Sequence, residues 1–378
     1  MTVHRGEAGA LYVHVPFCAR RCTYCDFDFE VGRTPALAAY LDALARELEA
    51  RHDELPDRMR TIYLGGGTPS LVGAIGLDAL ATLLAPWTNG VEELTVELNP
   101  EHVDDALIAA LVRLGATRVS LGVQSFEPDA LRQLGRAHDP IAGERAVRAC
   151  IDAGFATSLD LIVGWPGQGT EALARDLDRT LAAGVEHVSI YALTIEPDTV
   201  WPKLVRRGLR VVPDADAQAD ALVQCHDRLV GMGLEHYEIA SYAKPGRRAR
   251  HNATYWAWRD YVGVGPSAAS ASYAASGAVV RRTNPRGTAS WQSGAAPEIE
   301  HLDARAAAAE GLWLALRTSD GVDLDAFLAR FSEVDEAWVH ARADRTLRRG
   351  DLVWQGRRLV VAQGRWLVLD AIAADLLG

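Results

Sequence analysis

Three of the chain's five cysteines, Cys18, Cys22 and Cys25, stand in a C-x3-C-x2-C spacing on one short stretch. Thiolates are soft ligands, and three on one loop can wrap a soft metal centre. They cannot fill the four corners of a [4Fe–4S] cube, so one iron would stay open, which structural sites avoid and reactive sites need. Zinc is the competitor. A Cys3His site would need a fourth donor, and His14 is the nearest, but it lies inside a strand-like run just ahead of Pro16 and the spacing is unusual for zinc. A redox sensor made of adjacent thiols is the weaker alternative. Cys150 and Cys225 sit alone in the helical patterns RAVRACIDAG and ADALVQCHDRL and read as small core hydrophobes.

Other polar residues punctuate apolar runs. Gly65, Gly66 and Gly67, followed by Thr68 and Pro69, close a second strand-like run. Glycines there let a backbone approach a ligand closely and present N–H groups to a carboxylate, although a plain turn would use them too. Glu97, Gln124 and Asp160 fall in or at the ends of later runs. Each alone reads equally well as an outward-facing or loop-satisfied side chain. Further on, HNATYW (residues 251–256) joins an imidazole to two flat rings. His251 is thereby a candidate axial ligand for haem iron, with Tyr255 and Trp256 as surfaces for a macrocycle. Arg247, Arg248 and Arg250 are close enough in sequence to pair with propionates. The plainer alternative is a loop histidine that packs a domain junction.

The elements that must position these residues alternate with a regular beat. Short runs rich in Val, Ile, Leu and Tyr begin near residues 11, 61, 93, 118, 157 and 187, and each precedes a stretch with apolar residues at helical spacing. Several helices close near a glycine, as at Gly115, Gly154 and Gly233. Strands alternating with helices imply parallel pairing, because a crossover must join parallel neighbours. Six units are too few for a closed (β/α)8 barrel, so an open, partial (β/α)6 TIM-like barrel over residues 1–235 is predicted. Residues 236–300 read as a less regular connecting region that carries the HNxxYW segment. Residues 301–378 read as a small winged-helix-like α+β module of helices followed by two short strands, LVWQGRRLVVA and RWLVLD, suited to a structural or docking role.

With 378 residues, 49% hydrophobic and 24% charged, the chain can bury a large core. Its net charge of −11 gives it no general attraction to nucleic acid. The polar first ten residues read as no signal peptide, and no apolar run looks long enough to span a bilayer. The expected address is cytoplasmic, where an odd cysteine count points to metal or redox work rather than disulfides.

The cysteine spacing after a first strand, with Tyr24 ahead of the last cysteine, resembles the radical-SAM superfamily. That resemblance implies that S-adenosylmethionine (SAM) chelates the open iron of a [4Fe–4S] cluster. It also implies that Tyr12, Tyr24, Gly66, Gly67, Thr68, Glu97, Gln124, Arg136, Asp160 and Ala192 line the SAM site. YVHVPFC, GGGTPS, SLGVQSF, LGRAH, DLIVGWPGQ, YALTIEP and GLEHYEI together are similar to the oxygen-independent coproporphyrinogen III oxidase family. Within it, HNxxYW resembles the HemW haem chaperone branch, which implies haem on His251, Tyr255 and Trp256. The decarboxylating oxidase of this family carries a fourth cysteine where this chain has Phe27, which disfavours that activity here. One departure from the chaperone branch is Ala269, at a position where a histidine is usual. The resemblance implies haem as cargo, apo-haemoproteins such as respiratory enzymes as recipients, an electron donor for the cluster, and transient contact with a membrane.

Overall fold

The computed structural model describes residues 9–32, 34 and 36–377. Of the first ten residues, read above as no signal peptide, 1–8 lie outside that range. Six strands, β1 (Gly9–Val15), β2 (Met59–Gly66), β3 (Glu93–Leu98), β4 (Arg118–Gln124), β5 (Ala156–Val163) and β6 (His187–Ala192), pair in parallel in chain order. Their crossovers carry α1 (Leu37–Ala50), α2 (Gly73–Thr88), α3 (Asp105–Leu114), α4 (Pro128–Leu134), α5 (Pro140–Asp152) and α6 (Thr170–Ala182). The side-chain period of two decides what each face does. Leu11, Val13, Ile62, Leu64, Leu94, Val96, Val119, Leu121, Leu159 and Leu161 are buried in one core with Leu77, Leu80, Leu107 and Leu111 of the helices. The residues between them, such as Tyr63, Glu97, Ser120, Gln124, Asp160 and Tyr191, form the other, polar-lined face. Asp104 and Asp139 each accept a backbone N–H in the first turn of α3 and α5, which sets where those helices start.

The predicted partial barrel is present, but residues 236–300 are more than a connection. Beyond α7 (Trp201–Arg206) and α8 (Ala215–Gly231), the antiparallel pair β7 (Glu235–Glu238) and β8 (Ser241–Ala243) extends the sheet past β6. After α9 (Arg250–Trp256), β9 (Tyr261–Val264) pairs in parallel with β1 on the opposite side. Antiparallel β10 (Ala269–Tyr273), β11 (Val279–Thr283) and β12 (Glu298–Leu302) continue from it, so twelve strands share one sheet among the described residues. These strands are only three to five residues long, β8 and β10 are built mostly of Ala and Ser and β7 and β12 mostly of polar residues, so they carry little of the apolar alternation that betrays a strand.

After the short α10 (Thr288–Gln292), the terminal module packs α11 (Ala304–Leu316), α12 (Leu324–Arg330), α13 (Glu336–Arg348) and α14 (Leu369–Leu377) on a small sheet. That sheet has three strands, β13 (Val322–Asp323), β14 (Leu352–Gln355) and β15 (Arg358–Val361), in the order β13-β15-β14: the expected strand LVWQGRRLVVA is the hairpin β14–β15, and the expected strand RWLVLD is instead a 3-10 turn leading into α14. Its hydrophobic core includes Tyr273 and Val279 of the extended sheet and Trp258 from the turn between α9 and β9, with Trp258 edge-on to Phe327 and Phe331. One expectation is corrected. The stretch Pro69–Thr88 is long and apolar enough by composition to cross a membrane. Here it supplies α2, whose Leu77, Leu80 and Leu84 are buried in the main core.

Candidate functional site

A cavity of about 420 Å3 lies at the C-terminal ends of the parallel strands, and all three cysteines of the triad line it. The chain leaves β1 through Pro16, and a two-residue ladder between Phe17–Cys18 and Glu30–Val31 closes the base of the cysteine loop. The middle of the loop is pinned to the end of α4. Thr23 N–H donates to the Leu134 carbonyl at 3.2 Å and Thr23 Oγ1 to the Gln133 carbonyl at 2.8 Å. Burial pushes the Cys18 thiol up to about 12 and the Cys25 thiol up to about 11, so both are protonated until a metal displaces the proton. Cys150 and Cys225, by contrast, are fully buried in the core, as expected.

The triad is tied into a ring of polar contacts. Cys18 Sγ lies 3.4 Å from Thr68 Oγ1, Asn99 Nδ2 donates to Thr68 Oγ1 at 3.3 Å, and Arg136 Nη2 donates to Asn99 Oδ1 at 2.6 Å. Arg136 Nη1 closes the ring at 3.5 Å from Cys22 Sγ, and Nη2 also donates to the Gly122 carbonyl at 2.6 Å. A fixed guanidinium beside thiolates offsets the negative charge that three such ligands bring to a metal centre. Among the described residues, no group of His, Cys, Asp or Glu side chains converges tightly enough to hold a single metal ion. Three thiols spread around one hollow suit a multi-iron cluster, in which each thiolate takes a different corner, better than one zinc. His14, the candidate fourth zinc donor, is occupied: its Nδ1 accepts from Tyr12 Oη at 3.1 Å and its Nε2 donates to the Asp28 carbonyl at 2.8 Å.

Gly66 and Gly67 of the glycine run line the cavity beside the cysteines. Gly66 has a φ of +104°, and a Cβ there would sit 2.4 Å from the His14 ring. At Gly67 a Cβ would meet the backbone of Phe17 at 2.8 Å. Both positions therefore require glycine for close backbone approach as well as for any ligand. Gly66 N–H donates to Glu97 Oε2 at 3.1 Å, and Tyr63 Oη donates to Glu97 Oε1 at 2.7 Å. Burial, aided by nearby Asp160, raises the Glu97 carboxyl to about 7 despite these two donors. Burial also raises Asp160 to about 6 against hydrogen bonds from Ser189 and Ser120. Gln124 ends β4 at a register shift with a φ of +68°, and its buried Oε1 has no partner within the protein. A non-glycine residue held in the left-handed region beside a ligand-sized hollow marks strain kept at a binding site.

Of the positions expected around SAM, the structure brings Tyr24, Gly66, Gly67, Thr68, Glu97, Gln124, Arg136, Asp160 and Ala192 to this cavity. Tyr12 is the exception. It is not part of the lining, and its hydroxyl is spent on His14. Phe27 stands 61% exposed on the lining. Asn99, Ser120 and Tyr191 also line the cavity and were not singled out from the sequence. Asn99, directly after β3 and before Pro100, and the polar alternation of β4 and β6 were the available signals.

The raised carboxyls have a measurable consequence. A group whose pKa is higher in the folded than in the unfolded chain gives its full stabilisation below the unfolded value and loses it as pH rises through the folded one. The ligand-free protein is therefore expected to lose on the order of 2 kcal/mol between about pH 5 and about pH 8 through Glu97. Urea denaturation at the two pH values checks this, with Glu97→Gln showing a visibly smaller loss.

The HNxxYW residues lie elsewhere, at the N-terminal end of the sheet. His251, on α9, is 1% exposed. Its Nδ1 is 2.9 Å from Thr61 Oγ1 and its Nε2 is 2.8 Å from Tyr255 Oη. Burial holds it neutral, lowering its pKa to about 3. Glu93 Oε1 accepts N–H groups of Arg250 and His251 at 2.9 and 2.8 Å, while Glu93 Oε2 accepts from Arg118 Nε at 2.9 Å. Trp256 Nε1 donates to Glu238. The three arginines expected near propionates are already paired: Arg247 with Glu186, Arg248 with Glu235 and Asp320, and Arg250 with Glu92. Ala269 lies in β10, outside the cavity lining. The structure thus separates the expected haem residues from the cluster cavity and leaves the His251 ring with both nitrogens engaged.

Comparison with known proteins adds three findings. A profile of the Radical SAM superfamily matches residues 12–180. The heme chaperone HemW of Mycobacterium tuberculosis (strain ATCC 25618 / H37Rv) is 36% identical over 99% of this chain and 96% of its own length, and that of Lactococcus lactis subsp. lactis (strain IL1403) is 34% identical over 86% of each. Among solved structures, the coproporphyrinogen III oxidase HemN from Escherichia coli, a radical SAM enzyme, superposes with a TM-score of 0.82 over 99% of this chain and 91% of that one, at 20% identity.

Proposed function

We infer, from a chain that belongs to the radical SAM superfamily and within it to the HemW family of haem chaperones, that this protein binds haem and delivers it to apo-haemoproteins. The observation that carries this reading is the match to HemW chaperones along nearly the whole chain. Decarboxylation of coproporphyrinogen III has only a likeness of fold behind it, and Phe27 stands at the cavity where the resembled oxidase has its fourth cysteine.

Cys18, Cys22 and Cys25 are the residues that would hold a [4Fe–4S] cluster, and Tyr24, Gly66, Gly67, Thr68, Glu97, Gln124, Arg136, Asp160 and Ala192 those that would surround SAM. When bound, the cluster supplies an open iron for SAM and, once reduced, an electron to it. Arg136 offsets the charge of the thiolates. Glu97 and Asp160, near neutrality in pKa, can accept hydrogen bonds from hydroxyl groups or balance a cationic ligand as their protonation dictates. The unpartnered Gln124 Oε1 offers an acceptor already directed by its strained backbone. An electron donor, a cytoplasmic address, respiratory enzymes among the recipients and a passing contact with a membrane complete the proposal.

For haem, His251 is the candidate ligand, with Tyr255 and Trp256 beside it. Its imidazole is neutral, as iron ligation requires, but the ring must leave Thr61 or Tyr255 to offer a lone pair. Haem capture at this position therefore requires one of these two hydrogen bonds to break and the buried ring to become accessible. Titrating haemin into the wild type and into His251→Ala tests the assignment. A loss of affinity of about tenfold or more in the variant, with its haem spectrum changed, is expected; equal uptake with an identical spectrum removes His251 from the account.

A further inference from the structure

Thr61, Tyr63 and Gly65 occupy alternate positions of β2 and run from the α9 end of the barrel toward the cavity. At the α9 end, Thr61 holds the His251 ring. In the middle, the Tyr63 ring centroid lies 5.1 Å from that of His251, with 31° between the planes, and 6.1 Å from that of Tyr12, at 28°. Near the cavity, the Tyr63 hydroxyl donates to Glu97. Gly65 makes room for this arrangement, since a Cβ there would lie 2.6 Å from the Tyr63 ring and 3.0 Å from the Glu97 carboxyl. A second branch runs from Tyr12 through His14 to the Asp28 carbonyl, three residues past Cys25. The cavity and α9 are thus joined by one continuous column of stacked rings and hydrogen bonds.

We propose that Tyr63 is a positioning residue that couples filling of the cavity to the hold on α9. Its hydroxyl is buried and has Glu97 as its acceptor, so a ligand that takes the Glu97 carboxylate strands a buried donor. The ring then turns to find another partner and gives up its stack on His251. A tightly packed interior passes such a change on as a switch between arrangements rather than a gradual strain. SAM in the cavity accordingly loosens α9 and readies His251 for haem; by linkage, a loosened α9 alters the hold on SAM by the same factor. This inference rests on reading the cavity as the SAM site and α9 as the haem helix.

Hydrogen–deuterium exchange of the amides at 250–257, in cluster-loaded, haem-free full-length protein with and without saturating SAM, tests it. Equilibrium dialysis run alongside reports whether SAM is bound. In the wild type SAM is expected to speed exchange of these amides about fivefold or more, within the usual range of allosteric couplings. Tyr63→Phe keeps the ring stack and loses only the hydroxyl. Its exchange without SAM should match the wild type, and SAM should speed it less than about twofold. Bound SAM with no change at α9 in the wild type, or an equal acceleration in Tyr63→Phe, overturns the coupling alone. No SAM bound at all overturns the reading of the cavity and the coupling with it. Haem uptake by His251→Ala is scored separately, so a failed haem assignment does not masquerade as a failed coupling.

Discussion

Cys22→Ala protein, reconstituted anaerobically with iron and sulfide, is expected to remain colourless, keeping less than about a tenth of the wild-type iron–sulfur absorbance. With two thiolates left, half the corners of a cube would lack protein ligands, and no other cysteine is placed to help. Cys150 and Cys225 are buried in the core away from the cavity lining. The loop itself should persist, because Thr23 and the Phe17–Cys18 ladder anchor it without the Cys22 side chain. An unchanged far-ultraviolet circular dichroism spectrum therefore accompanies the loss of colour. A variant that stays fully brown would mean that the cluster sits on other residues.

Glu93→Ala is expected to cost about 3–5 kcal/mol in urea denaturation, the usual effect of breaking one side of a buried ion pair. Glu93 is 4% exposed and meets Arg118 and the first turn of α9 with its two oxygens. Its removal leaves a buried guanidinium that keeps, among the described residues, the carbonyls of Arg247 and Arg248 but no carboxylate, together with two N–H groups that lose their acceptor. Glu93→Gln keeps an acceptor for α9 and should cost less. A loss below about 1 kcal/mol in the alanine variant would show that α9 is not held shut from this position.

How much of this was legible in the sequence follows from how local each feature is. The cysteine loop is a matter of spacing within eight positions, and the barrel strands announce themselves by apolar runs between amphipathic helices. Glu97, Gln124 and Asp160 were visible as polar residues in apolar runs, but each alone read equally well as an outward-facing side chain, and only the family resemblance assigned them to one site. The seat of His251 was not legible. It depends on Thr61, 190 positions earlier, and on Glu93, 158 positions earlier, and nothing in HNATYW announces that both ring nitrogens are already engaged. The place of Tyr12 was legible only in part: alternation gives its face of the sheet, but not that its hydroxyl meets His14, two residues on. The added strands escaped because β9 is only four residues long and pairs with the distant β1, and β10 is built mostly of Ala and Ser, so no local pattern encodes them.

The central claim is an iron–sulfur cluster on three thiols whose remaining iron is open to SAM. Electron paramagnetic resonance of the reduced, anaerobically reconstituted wild-type protein, recorded before and after addition of SAM, tests it most directly. A [4Fe–4S] signal that shifts when SAM is added is the expected result. A cluster signal indifferent to SAM, or a preparation that binds zinc and no sulfide, would contradict it.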